Sequence, residues 1–259
     1  MKKLLLIIDP QVDFVSPRVD AYGGLPGRLY ILGAENNIEK LADWIKIHTG
    51  EIDSILCTQD THFTTHIGHP KAWKDERGHI VDPFKNITAE QVELGKYNPT
   101  QISKDRAVSY LKSLEEKGAQ HTIWPVHCLA GSVGQGFDQK IIDALEIWTE
   151  KKNKHYGIIQ KGARDDAEMY SAFSYADGSN PGEFKGWLDR IDSENFDEII
   201  IAGFAKDYCV AETVKDLVMD GRFKDKLRFL ESGMACINSK NPSLSIYEEA
   251  IKNYGAKSI

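Results

Sequence analysis

The chain of 259 residues lacks most of what would tie it to a membrane, a nucleic acid or an oxidising compartment. Its apolar runs are short. Lys2-Lys3 followed by residues 4–8 imitates the opening of a secretory signal, but the run stops at Asp9, short of the roughly 7–15 residues a signal core needs. No stretch approaches the ~20 apolar residues of a membrane span. The four cysteines (Cys57, Cys128, Cys209, Cys236) are scattered, with no CxxC pair, which suits reduced thiols better than a disulfide scaffold. Basic residues number 32 against 39 acidic ones and form no patch, whereas phosphate recognition requires one. These absences argue against nucleic acid and membrane as partners, and the expected location is the cytoplasm. No repeat, low-complexity tract or linker divides the sequence, so a single domain over 1–259 is expected.

What the chain does have is alternation. Short β-branched runs at 4–8, 54–58, 156–160, 198–202 and 227–230 read as buried strands, with a further edge strand at 256–259. Between them, helical spacing runs over 34–48, 137–151, 183–191, 208–220 and 243–253. Strand–helix alternation implies an α/β protein with a mainly parallel sheet covered on both faces. The exception is an insertion at about 70–123, rich in charge, with Pro83, Pro99 and one helix at 103–117. It is read as a lid over the sheet's mouth or as a contact in a homo-oligomer.

In open α/β sheets, ligands bind beyond the carboxyl ends of the strands, so the polar residues that end the apolar runs are the candidates. Asp9 ends the first run, where an aspartate can also cap a helix. Lys161 ends 157–160; an ammonium there is costly to desolvate unless paired, with snorkelling to solvent as the bland alternative. Cys209 falls where a strand hands over to a helix. Free backbone N–H groups there favour a thiolate and can hold an oxyanion. A nearby lysine would lower the thiol pKa further, and a carboxylate could take its proton. A small buried residue in a helix's first turn is the competing reading of Cys209.

A second cluster spans Thr58 to His69. Asp60 and His62, two apart at a strand end, can point to one side, and His127 is a further candidate ligand. A carboxylate with imidazoles suits Zn²⁺, Fe²⁺ or Mn²⁺. Solvated loop histidines are the alternative.

Five blocks in order carry a resemblance: Asp9-x-Gln11-x-Asp13-Phe14, Asp60-x-His62, Trp124-Pro-x-His127-Cys128 with Gly131 and Gly134, Lys161-Gly162 followed by Tyr170-Ser171-Ala172-Phe173, and Gly203-x-Ala205-x-Asp207-x-Cys209-Val210. Together they resemble the isochorismatase-like cysteine hydrolases, and within them the nicotinamidase type. The resemblance implies a three-layer α/β/α fold and a triad of Asp9, Lys161 and Cys209. It implies a divalent metal, Zn²⁺ before Fe²⁺ or Mn²⁺, on Asp60, His62 and His127, with His66 and His69 competing for a further ligand position. It also implies an oxyanion hole from the N–H groups of Ala205 and Cys209, with an unusual peptide bond before Ala205. Phe14, Trp124 and Tyr170 or Phe173 would wall a flat ring, and nicotinamide, hydrolysed through a Cys209 thioester, would be the substrate. Lys206 and the Arg164-Asp165-Asp166 run depart from the family pattern. Three rival readings stand beside this one: a same-fold amidase for another small amide, a metal hydrolase in which Cys209 is incidental, and a non-catalytic binding protein on this fold.

Overall fold

The structure is a computed structural model that describes residues 1–179 and 182–259. The chain begins with β1 (Lys3–Ile8), a single turn α1 (Val12–Val15), helix α2 (Ala34–His48) and β2 (Ser54–Asp60). The inserted segment follows, with β3 (Trp73–Asp75), β4 (Asn86–Ile87), α3 (Ala89–Glu93), β5 (Tyr97–Pro99), α4 (Lys104–Glu116) and β6 (His121–Thr122). Then come α5 (Gln139–Lys152), β7 (Gly157–Lys161), α6 (Gly182–Ser193), β8 (Glu198–Phe204), α7 (Ala211–Asp220), β9 (Leu227–Ala235), α8 (Ser245–Tyr254) and β10 (Lys257–Ser258).

Six strands form one parallel sheet in the order β10-β9-β8-β1-β2-β7. Side chains alternate across a strand, and β1 shows what that does. Leu5 and Ile7 enter a core with Leu41 and Ile45 of α2 and Leu145 and Trp148 of α5. Leu4, Leu6 and Ile8 enter the opposite core, with Val214 and Leu217 of α7 and Tyr247 of α8. Helices therefore cover both faces, giving the three-layer α/β/α arrangement that the alternation implies. Among the described residues, no helix is long and apolar enough to cross a membrane.

The expected strands are all present, and β2, β7, β8 and β9 run beyond the predicted ends. Asp60 and Lys161 are thus the last residues of β2 and β7, and they are partners across the ladder. The helix expected at 208–220 begins later, at Ala211, because a π-helical turn, Lys206–Val210, precedes it. The insertion holds more than the one expected helix. It adds α3 and two small antiparallel pairs, β3 with β5 and β4 with β6. Trp73, Ile87, Tyr110 and Leu111 of this segment join the same core as Leu4 and Leu6.

At one point two sheet strands come too close for any side chain. Gly203 in β8 has φ +123°, and a Cβ there would stand 2.0 Å from the carbonyl oxygen of Ile8 in β1. That approach sets where β1 ends and Asp9 begins. Gly203→Ala is expected to cost more than about 3 kcal/mol from combined backbone strain and overpacking, read as a lower urea midpoint or loss of soluble protein.

Candidate active site

Four polar side chains converge at the carboxyl ends of neighbouring strands. β1 delivers Asp9, β2 Asp60, β7 Lys161, and the turn after β8 Cys209. Lys161 is 1% exposed. Its Nζ lies 2.9 Å from Asp9 Oδ2, 3.0 Å from Asp60 Oδ1 and 3.5 Å from Cys209 Sγ, and it donates to the Met169 carbonyl at 3.1 Å. Burial alone would strip the proton from such a lysine, but Asp60 and Asp9 outweigh it and hold the ammonium well above its ordinary pKa.

The two carboxylates are pushed in opposite directions. Burial lifts Asp9 above the usual carboxylate range, against the pull of Lys161. Burial also opposes the charge on Asp60, yet His62 and Lys161 outweigh it and hold that carboxyl well below its usual range. Environments that separate two acids in this way assign them different work: Asp60 stays ionised, while Asp9 can take up and return a proton. Asp9 is further fixed by Thr58, whose hydroxyl donates to Oδ1 at 2.5 Å and accepts from the Asp9 N–H at 2.9 Å. The chain turns sharply there, with Asp9 at φ +45°.

Cys209 lies in the π-helical turn rather than at the start of a regular helix. From its place in the sequence, Cys209 is expected to be a thiol eased towards thiolate by the lysine. The structure differs: burial lifts the thiol well above its ordinary value, Asp9 and Asp60 add to that, and Lys161 only partly offsets it. The Phe204–Ala205 peptide, ahead of this turn, is cis.

The histidines form a second group next to the first. His62, His69 and His127 present ligand nitrogens within 4.8 Å of one another, all buried. Each places its Nδ1 against a main-chain carbonyl: His62 on Gly162 at 2.9 Å, His69 on Phe63 at 3.1 Å and His127 on Pro125 at 2.7 Å. A carbonyl only accepts, so each Nδ1 carries a proton and each Nε2 is turned toward the group. Those of His62 and His127 lie 2.9 and 3.6 Å from Asp60 Oδ2, and His69 Nε2 is 3.3 Å from the His127 ring nitrogen Nδ1. Three imidazoles held at Nδ1 by carbonyls, with one carboxylate, are a donor set that fits a divalent metal ion.

His66 is placed differently. Its Nδ1 accepts from the Gly68 N–H at 3.2 Å and its Nε2 faces the Ala167 carbonyl at 3.3 Å, so both nitrogens are committed. Of the two candidates left open by the sequence, the structure brings His69 to His62 and His127, and brings His66 to His62 and Glu168 in a second group that could hold an ion. The His66 loop is pinned to the one after β7 by Ile67 N donating to Asp165 O and by Thr65 Oγ1 donating to Asp165 Oδ2, at 2.8 and 2.9 Å.

Aromatic rings flank the cluster. Phe14 stands 5.5 Å from the His127 ring, and the Trp124 indole N–H donates to the Tyr170 hydroxyl at 3.0 Å. Phe173 is in the core instead. Tyr208, absent from the sequence argument though it adjoins Cys209, packs edge-on to Trp124 at 4.9 Å and lies 5.6 Å from Tyr170. The insertion contributes Phe84, exposed and 6.3 Å from Trp124. The departures from the family pattern pair locally: Lys206 with Glu231, and Arg164 with Asp166 and Asp177. Arg106 of α4 reaches the same two aspartates.

Fold and site together describe a three-layer α/β/α protein with two aspartates, a lysine and a cysteine gathered at the strand ends. No family model matches the chain. Among curated proteins, it is 26% identical over 211 residues to the nicotinamidase of Saccharomyces cerevisiae, covering 82% of this chain and 79% of that one. Among solved structures, yeast nicotinamidase bound to the inhibitor nicotinaldehyde superposes with a TM-score of 0.66 at 22% identity, covering 99% of each chain. The pyrazinamidase of Pyrococcus horikoshii in complex with zinc does so with a TM-score of 0.57 at 19% identity, over 100% of this chain and 99% of that one. The chain is thus a relative of the nicotinamidases and has their fold.

The two histidine placements predict different behaviour on truncation. His69→Ala is expected to weaken Zn²⁺ binding by about tenfold or more, while His66→Ala leaves it within a few-fold. Competition with a chromogenic chelator measures both; equal losses would contradict the placement.

Proposed function

We propose that this chain is a metal-dependent nicotinamidase, which converts nicotinamide and water to nicotinate and ammonia through a Cys209 thioester. The observation that carries the reading is a buried Lys161 ammonium within 3.5 Å of Cys209 Sγ and 2.9 Å of Asp9, next to a metal-ligating group, in a chain whose curated relatives are nicotinamidases.

In this reading Asp60, His62, His69 and His127 hold the ion, and the zinc named for the Pyrococcus pyrazinamidase supports Zn²⁺. When bound, such an ion supplies a Lewis-acidic position suited to a pyridine nitrogen and to water. Phe14, Trp124 and Tyr170 bracket the flat ring and present its carboxamide to Cys209, with Tyr208 closing the aromatic wall. Asp9 accepts the thiol proton as sulfur bonds to the carboxamide carbon, and the Lys161 ammonium offsets the charge passing between them. The N–H groups of Ala205 and Cys209 receive the oxyanion. Asp9 returns its proton to the leaving nitrogen, the C–N bond breaks and ammonia departs. Water then adds to the thioester, the C–S bond breaks, and the thiol regains a proton as nicotinate is released. Asp60 remains ionised throughout, shared between the ammonium and the histidines. The unpaired, scattered thiols support a reducing, cytoplasmic setting.

Ammonia release from nicotinamide, measured against a panel of small amides, tests the activity; no preference for nicotinamide would favour a same-fold amidase instead. Cys209→Ala should lower kcat by about 10⁴-fold or more. Turnover that survives this substitution would instead make the cysteine incidental.

The pH profile follows from Asp9. The base must be ionised to accept the thiol proton, and burial raises its pKa. Activity is therefore expected to fall as pH drops through a midpoint above the ordinary aspartate value of about 3.9. Asp9→Asn should abolish the turnover on which that limb is measured. An acid limb at the ordinary value, in a stable protein, would remove Asp9 from the base role.

A further inference from the structure

Strand β2 runs further than the strand beside it. The last partner pair of β1 with β2 is Ile7 with Cys57, and Asp9, at φ +45°, turns the chain out of the sheet. β2 continues to Asp60, which is paired on its other side with Lys161 of β7. Backbone groups alternate from side to side along a parallel ladder. Thr61 N donates to Lys161 O at 2.8 Å, so the N–H and C=O of Asp60 face the side that β1 has vacated. Left unpaired in this buried position, each would carry the cost of an unmade hydrogen bond.

The side chain of Gln11 fills that place. Its Oε1 accepts from Asp60 N at 2.7 Å, and its Nε2 donates to Asp60 O, also at 2.7 Å. One carboxamide thereby supplies the donor and the acceptor that a neighbouring strand would have supplied. Gln11 is itself fully buried. Its Nε2 also donates to Gln135 O at 2.9 Å, and the Gln135 side chain is tied in turn, donating to Thr61 Oγ1 at 2.8 Å and accepting from Gly131 N at 2.7 Å. The end of β2 is held on the β1 side by glutamine side chains.

We propose that Gln11 is a positioning residue for the active site: its carboxamide replaces the missing strand rung and fixes how Asp60 leaves the sheet. The inference rests on the reading of Asp60 as both metal ligand and partner of Lys161. That carboxylate is divided, with Oδ1 3.0 Å from Lys161 Nζ and Oδ2 2.9 Å from His62 Nε2. A small rotation of its main chain cannot preserve both contacts. Gln11 touches no reacting atom; it acts through Asp60.

The test uses the full chain with Co²⁺ as probe. Gln11→Met keeps the length and loses both hydrogen bonds. Gln11→Glu keeps the acceptor for Asp60 N and sets a carboxylate oxygen against Asp60 O and Gln135 O. Both variants should bind Co²⁺ about 10–100-fold more weakly, in line with other groups that orient metal ligands, and the d–d absorption of the bound ion should change. Thr49→Val serves as the comparison, because it removes a buried side-chain bond to Ile45 O outside the site. It should lower the thermal midpoint and leave Co²⁺ affinity unmoved. Should Gln11→Met fail to fold, Gln11→Glu decides. Co²⁺ affinity within threefold of wild type and an unaltered spectrum, in either folded variant, overturns the proposal. A wild-type chain that takes up no Co²⁺ would remove the metal reading, and this inference with it.

Discussion

A buried lysine ammonium held between two aspartates and a thiol is the interaction on which the rest of the site depends. Desolvating any one of these charges costs several kcal/mol unless its partners are in place, so the group forms together or not at all. The fold provides for this by ending β2 and β7 together and β1 short of them, so that Asp9, Asp60 and Lys161 meet at one end of the sheet. β1 stops where Gly203 of β8 crowds Ile8, and β2 and β7 end on the facing pair Asp60 and Lys161. Backbone register sets the distances, and the side chains inherit them.

Asp60 joins the two halves of the site. One oxygen neutralises Lys161, and the other faces the imidazoles. Lys161 and His62 keep Asp60 ionised, so Asp9, lifted by burial, is the carboxylate better placed to take up a proton. The acid beside the thiol and the acid beside the imidazoles are thus separated by their surroundings, though both are aspartates at the end of a strand in the same sheet.

Much of this was legible in the sequence because strand tips carry a strong signal. An apolar run ending in a charge, as at Asp9 or Lys161, announces both burial and the sheet end at which ligands bind. The choice between His66 and His69 was not legible, since a loop has no period and the answer depends on which nitrogen meets Phe63 O, Ala167 O or Gly68 N. The balance of influences on the Cys209 thiol was not legible for a related reason. The lysine could be foreseen, but the depth of burial and the second carboxylate could not. Nor does spacing mark Thr58 or Gln135, whose partners lie far along the chain. Strands of two or three residues, such as β3 and β4, are too short for alternation to show.

Two arginines, Arg106 on α4 and Arg164 after β7, grip the same pair, Asp166 and Asp177, while Trp73 and Tyr110 are built into the core beneath. The extra segment is therefore grafted rather than hung. Cutting it back would uncover one face of the sheet and loosen the loop that leaves Lys161, so its length and the catalytic apparatus are under a common mechanical constraint and cannot be altered independently.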